Sequence, residues 1–255
     1  MVAGTSMSWR ALVVGFCVAL ALGCEKKTPP VAIGSATSLR AAMPKLIDAY
    51  EASHPGHDVV ATYAASGELR NQVLAGAPLD ALCLAGATPL DDLIKAGRVD
   101  PGSRQVLASY NLVLVGRRGG APLTFDTLVS ALPPGERLAV GDPRTVPAGE
   151  YARDYLRAKG VWDALQPRLV MGANVAAVLA YARRGEAVGA IVYDTELHGL
   201  DDLVELDTAK GAEAPHPKVV AGTVSGGREE GAQFLRFIAS PSGQKVLGDL
   251  GFGPP

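Results

Sequence analysis

Short apolar runs alternating with stretches of helical spacing constrain this chain more than any other feature. The runs are "VAIGSA" (31–36), "HDVVATYAA" (57–65), "LDALCLA" (79–85), "VLASYNLVLVG" (106–116), "RLAVGD" (137–142), "RLVMGA" (168–173), "AVGAIVY" (187–193) and "PKVVAGTVSG" (217–226). Near-continuous apolar runs of this length are the pattern of strands covered on both faces. Between them the spacing predicts helices over 39–52, 67–75, 88–97, 148–160, 175–185 and 228–249. Pro44 lies inside the first of these, where it removes one helix hydrogen bond. Alternation of this kind predicts an α/β fold of mostly parallel sheets flanked by helices. The long runs at 106–116 and 217–226 border a middle segment, and "GRRGGAPL" and "AKGAEAPHP" beside them read as exposed turns. We therefore expect two lobes joined by two crossings: 31–109 with 218–255, and 110–217.

The N-terminus reads differently. Arg10 precedes "ALVVGFCVALALG", an apolar run over 11–23 that is short for a bilayer span and right for a signal-peptide core. It closes on "LALGC", which resembles a bacterial lipoprotein signal, with residues 1–23 removed and Cys24 lipidated. An ordinary secretory signal or an uncleaved anchor is the alternative. "EKKTPP" then forms, with Cys24, a tether over 24–30. The expected location is the periplasm or the cell surface, held to the membrane by lipid. A net charge of −2 in 255 residues gives no basic footprint for nucleic acid.

Several kinds of chemistry lack their motifs. The chain contains no G-x-S-x-G, H-E-x-x-H, P-loop or G-x-G-x-x-G. "HPGH" places His54 and His57 three apart beside Pro55 and Gly56; this is a weak metal-ligand spacing, and a solvated turn explains it as well. Cys83, in a strand-like run, reads as a core thiol.

What the sequence does repeat is a junction. "GSATSLR" puts Ser38 at a strand-to-helix boundary, "YAASGELR" puts Ser66 at a second, "VPAGEYA" opens a helix at Ala148, and "GANVAAV" opens another near Val175. A helix start presents unpaired N–H groups and about half a positive charge. Several starts converging would hold an anion without lysine or arginine. Each serine alone could equally be a helix cap.

The same stretches carry a resemblance. "GDPRTVPAGEYARDYL", followed by Trp162 and Asp163 in "WDAL", closely resembles the signature of the molybdate-binding proteins of ABC transporters. "ATSLRAAMPKL", "YAASGELRNQVLAGAPLDA" and "GAIVYDTEL" resemble other blocks of that family in the same order. The resemblance implies a two-lobed periplasmic-binding-protein fold, type II-like, with the cleft between lobes. It implies an oxyanion site made of the Ser38 and Ser66 hydroxyls, the backbone N–H groups of Ala148 and Val175, and the Tyr193 hydroxyl. The ligand would be molybdate or tungstate, with no cofactor, no cationic metal and no catalysis. The partners would be a membrane permease and its ATPase, and the binding protein a monomer. Glu68 and Glu150 depart from the family pattern, and a carboxylate at either place would repel a dianion unless it faces solvent. Other readings are a binder of sulfate or phosphate, a secreted hydrolase using Ser38 or Ser66 with a histidine, and a structural surface lipoprotein with a spoiled site.

Overall fold

The computed structural model describes Met1 and residues 29–255. The leader, Cys24 and the tether up to residue 28 lie outside the described residues. In chain order the strands are β1 (Val31–Ala36), β2 (Val59–Ala64), β3 (Ala81–Ala85), β4 (Gln105–Ser109), β5 (Leu112–Arg117), β6 (Leu138–Gly141), β7 (Leu169–Gly172), β8 (Gly189–Tyr193), β9 (Leu203–Thr208) and β10 (Lys218–Thr223). The helices are α1 (Met43–Ser53), α2 (Ser66–Leu74), α3 (Thr88–Lys95), α4 (Leu128–Ala131), α5 (Pro147–Ala158), α6 (Trp162–Leu165), α7 (Val175–Arg184), α8 (Glu229–Ala239) and α9 (Pro241–Gly248). Among the described residues, no helix is long and apolar enough to cross a membrane.

The strands form two five-stranded sheets, ordered β2-β1-β3-β10-β4 and β7-β6-β8-β5-β9. In the first, β1 is parallel to β2 and β3, while β10 is antiparallel to its neighbours β3 and β4. In the second, β6 is parallel to β7 and β8, while β5 is antiparallel to β8 and β9. Each sheet therefore has a single reversed strand, and that strand is the one by which the chain enters from the other sheet. The chain leaves the first sheet along edge strand β4 and enters the second along β5; it leaves along edge strand β9 and returns along β10. The sequence run at 106–116 is thus two strands in two sheets, broken at Tyr110 and Asn111. The Tyr110 N–H donates to the Pro217 carbonyl at 3.0 Å, which ties the two crossings together.

Burial follows strand position. β3 and β8 are buried throughout, as central strands should be, whereas β2, at an edge, alternates buried and open positions. Three differences from the sequence reading have local causes. Pro44 falls in the first turn of α1, where its missing N–H costs nothing. The helix expected over 228–249 breaks at Ser240 and Pro241 into α8 and α9, with the Ser240 hydroxyl capping the second. Strand β9, which carries Glu205 and Asp207, has no apolar run to announce it because it lies at an edge.

The opposite ends of the first lobe do different jobs. At the N-terminal end of β1, buried Asp80 accepts the Ala32 N–H at 2.8 Å and pairs with Arg228 at 2.6 Å. The same guanidinium donates to the Pro29 carbonyl at 2.6 Å, so the end of the tether is clamped here. The C-terminal ends of the strands face the second lobe.

One junction shows how closely backbone packs. The α5 start folds back onto the end of β6, and a Cβ added at Gly149 would overlap the Gly141 carbonyl. Gly149→Ala should therefore destabilise the protein by about 1–3 kcal/mol. Equilibrium urea unfolding checks this, and an unchanged midpoint would count against the packing described.

Candidate functional site

Between the lobes lies a small cavity. All five sequence-predicted residues line it: Ser38 and Ser66 from the first lobe, Ala148, Val175 and Tyr193 from the second. They sit just beyond the C-terminal ends of β1, β2, β6, β7 and β8 respectively, or, for Tyr193, at the last residue of its strand. Open α/β sheets place ligands at such strand ends. Among the described residues, none that lines the cavity is charged. The lobes meet directly around it: the Gly67 N–H donates to the Thr145 carbonyl at 3.0 Å, and Gly86 packs so closely that a Cβ would meet the Pro147 ring at 2.8 Å.

Ser66 Oγ accepts the Ala85 N–H at 3.0 Å, which occupies an acceptor lone pair and leaves its single hydrogen free. Ser38 Oγ lies 3.0 Å from the Tyr110 hydroxyl. Neither serine caps a helix: the N-cap positions are Ala36 and Ala65, which make no side-chain cap bond. Among the described residues, neither hydroxyl has a histidine as a hydrogen-bond partner. Ser38 belongs to a short 3₁₀ turn over Thr37–Leu39 that precedes α1.

The backbone donors follow from helix geometry. Ala148 is the second residue of α5, after Pro147, and Val175 is the first of α7, so neither N–H has an acceptor within its helix. The Asn174 side chain caps α7 by accepting the Ala177 N–H at 3.0 Å, which leaves Val175 unclaimed. The loop before α5 is held by Asp142, whose carboxylate takes the Arg144 guanidinium at 2.7 Å and the Arg144 N–H at 3.0 Å. That guanidinium holds the Asp142 carboxyl below its usual range.

Tyr193 is wholly buried, and among the described residues its hydroxyl has no partner. Burial pushes its phenol well above the usual range, so it enters any binding event as a donor. Its ring stacks on Tyr110 with centroids 4.2 Å apart.

Glu68 is exposed, and Glu150 lines a separate surface pocket with Arg153 at 3.9 Å, so neither carboxylate faces the cavity. His54 and His57 stand beside Tyr50, and the described residues contain no group of three metal-ligating side chains. Cys83 is buried and its thiol is pushed up to about 12, so it is inert.

Sequence reasoning missed three contributors. Thr37 lines the cavity with a buried, unpartnered Oγ1. Asn174 caps α7, and Tyr110 backs Ser38. The polar break "SYN" inside an apolar run was the available signal for the last. A neighbouring cavity, also between the lobes, holds Glu196, whose Oε1 is enclosed without a partner among the described residues.

Burial pushes the Glu196 carboxyl from 4.5 up to about 8. The folded protein then binds this proton more tightly than the unfolded chain. The contribution is fully present below the unfolded value and is lost as pH rises through the folded one. Thermal melts should show stability declining between about pH 5 and about pH 8. Glu196→Gln should flatten that decline, and equal slopes in the two proteins would refute the assignment.

Comparison with known proteins places the chain among solute-binding proteins. The molybdate-binding protein ModA of Escherichia coli (strain K12) is 35% identical over 170 residues, 65% of this chain and 66% of that one. The molybdate-binding protein ModA of Haemophilus influenzae is 29% identical over 254 residues, 97% of each chain. The fold matches that of the Azotobacter vinelandii periplasmic molybdate-binding protein with a TM-score of 0.79 at 20% identity, covering 88% of this chain and 99% of that one. Residues 31–253 match the family described as bacterial extracellular solute-binding protein, and the chain belongs to that family.

Proposed function

We propose that this protein captures molybdate or tungstate outside the cytoplasm and delivers it to an ABC importer, a permease with its ATPase. The observation that carries the reading is a cavity lined, among the described residues, by no charged side chain, with hydroxyls and helix-start amides from both lobes at its wall and an acceptor lone pair of Ser66 already engaged by the Ala85 N–H. A fully ionised tetrahedral oxyanion has only acceptors, so it suits such a cage. Each charge-assisted bond contributes roughly 1.5–3 kcal/mol. The helix starts of α2, α5 and α7 add partial positive charge at short range. A ligand that bears its own hydrogen, such as hydrogen phosphate, would need an acceptor from the wall. Molybdate and tungstate are larger than sulfate, so a cage of fixed donors set to their radius leaves a sulfate's oxygens short of some of them. Relatives named as molybdate-binding proteins support the same ligand.

On this reading the ligand-binding residues are Ser38, Ser66, Ala148, Val175 and Tyr193. The lobes are 31–109 with 218–255, and 110–217, and they close on the anion by a hinge at the two crossings. The protein acts as a monomer, held to the membrane by lipid on Cys24, which follows a cleaved leader over 1–23.

Calorimetric titration of the protein lacking residues 1–24 tests this. Molybdate and tungstate should bind tightly, and sulfate and hydrogen phosphate weakly or not at all. Flat traces for the first two would reject the reading. Tyr193→Phe should weaken molybdate binding by about 1.5–3 kcal/mol, the loss of one charge-assisted donor.

A further inference from the structure

We propose that Tyr110 is a positioning residue for anion binding: its hydroxyl donates to Ser38 Oγ, so that the one Ser38 hydrogen is aimed into the cavity. This deepens, and rests on, the oxyanion reading above.

A serine hydroxyl has one hydrogen and two lone pairs, and it rotates to suit its partners. Ser66 is fixed from behind by the Ala85 N–H, which can only donate. At Ser38 no backbone N–H plays that part. The Tyr110 hydroxyl stands there instead, 3.0 Å away, and Ser38 Oγ is its only partner among the described residues. If the serine donated, the buried phenol hydrogen would be left without an acceptor, at the full desolvation cost of that group. The phenol therefore donates and the serine accepts. Burial raises the phenol far above its usual range, so this polarity holds across the physiological range of pH.

The surroundings keep Tyr110 in place. Its N–H is bonded to Pro217 on the other crossing. Its ring lies between Tyr193, stacked at 4.2 Å, and Phe252, tilted at 5.3 Å. The next residue is locked too: Asn111 Nδ2 donates to the Asp194 carboxylate at 2.7 Å, and the Asp194 N–H donates back to the Asn111 carbonyl at 3.1 Å. The pair Tyr110–Asn111 is thus registered against Tyr193–Asp194. Through one side chain at the hinge, a hydroxyl donor from each lobe is set relative to the other.

The test is a cycle of wild type, Tyr110→Phe, Ser38→Ala and the double variant, titrated with molybdate by calorimetry, with circular dichroism and melting of the ligand-free proteins alongside. Phenylalanine keeps the stacked ring and removes only the hydroxyl. Tyr110→Phe should weaken binding about tenfold, and in the Ser38→Ala background it should add less than about twofold. Unchanged binding in Tyr110→Phe, or losses that multiply in the double variant, would overturn the proposal. If wild type ignores molybdate but binds another oxyanion, the ligand reading fails and the same cycle with that anion decides the role of Tyr110. A wild type silent to every oxyanion removes both.

Discussion

A dianion's oxygens can only accept hydrogen bonds, and a site that buries them without counter-charge must supply donors and nothing else. The rest of this structure is arranged around that requirement. Hydroxyls are the awkward members of such a cage, because each can turn and become an acceptor. Here the Ala85 N–H and the Tyr110 hydroxyl stand behind Ser66 and Ser38 and occupy that capacity. Tyr193 has no competing partner among the described residues, and Ala148 and Val175 offer amides that their helices cannot use. Neutral donors also leave no strong ion pair to break on release, which suits a carrier that must hand its ligand on.

The fold makes this convergence possible through its two crossings. Each sheet has four strands running one way and one reversed strand, the first after a crossing, β10 in one sheet and β5 in the other. The parallel strands turn their C-terminal ends toward the gap, where helices begin and their amides are unpaired. The two crossings lie close together and are bonded through Tyr110 and Pro217.

Much of this was legible in the residues. The apolar runs marked the buried strands, and the small residues at "ATS", "ASG", "PAG" and "GAN" marked the junctions that now line one cavity. The α/β class follows from periodicity; the five donors came from family resemblance, which periodicity alone would not have supplied. What stayed hidden was of two kinds. Edge strand β9 is half-open and charged, so it has no apolar signature. The partners behind the serines, Ala85 and Tyr110, act through distances set by tertiary folding. In the sequence Tyr110 stands 72 residues from Ser38, and nothing local links them. The doubts raised by Glu68 and Glu150 were likewise questions of placement: Glu68 is exposed, and neither residue is among those lining the cavity.

The central claim is that a single oxyanion sits between the lobes, bonded only by uncharged donors. Diffraction from crystals grown with tungstate, recorded at the tungsten absorption edge, tests it most directly. The account predicts one strong anomalous peak enclosed by Ser38, Ser66, Ala148, Val175 and Tyr193, with no lysine or arginine within bonding distance. A tungsten site elsewhere on the molecule, or one held by a guanidinium or ammonium group, would contradict it.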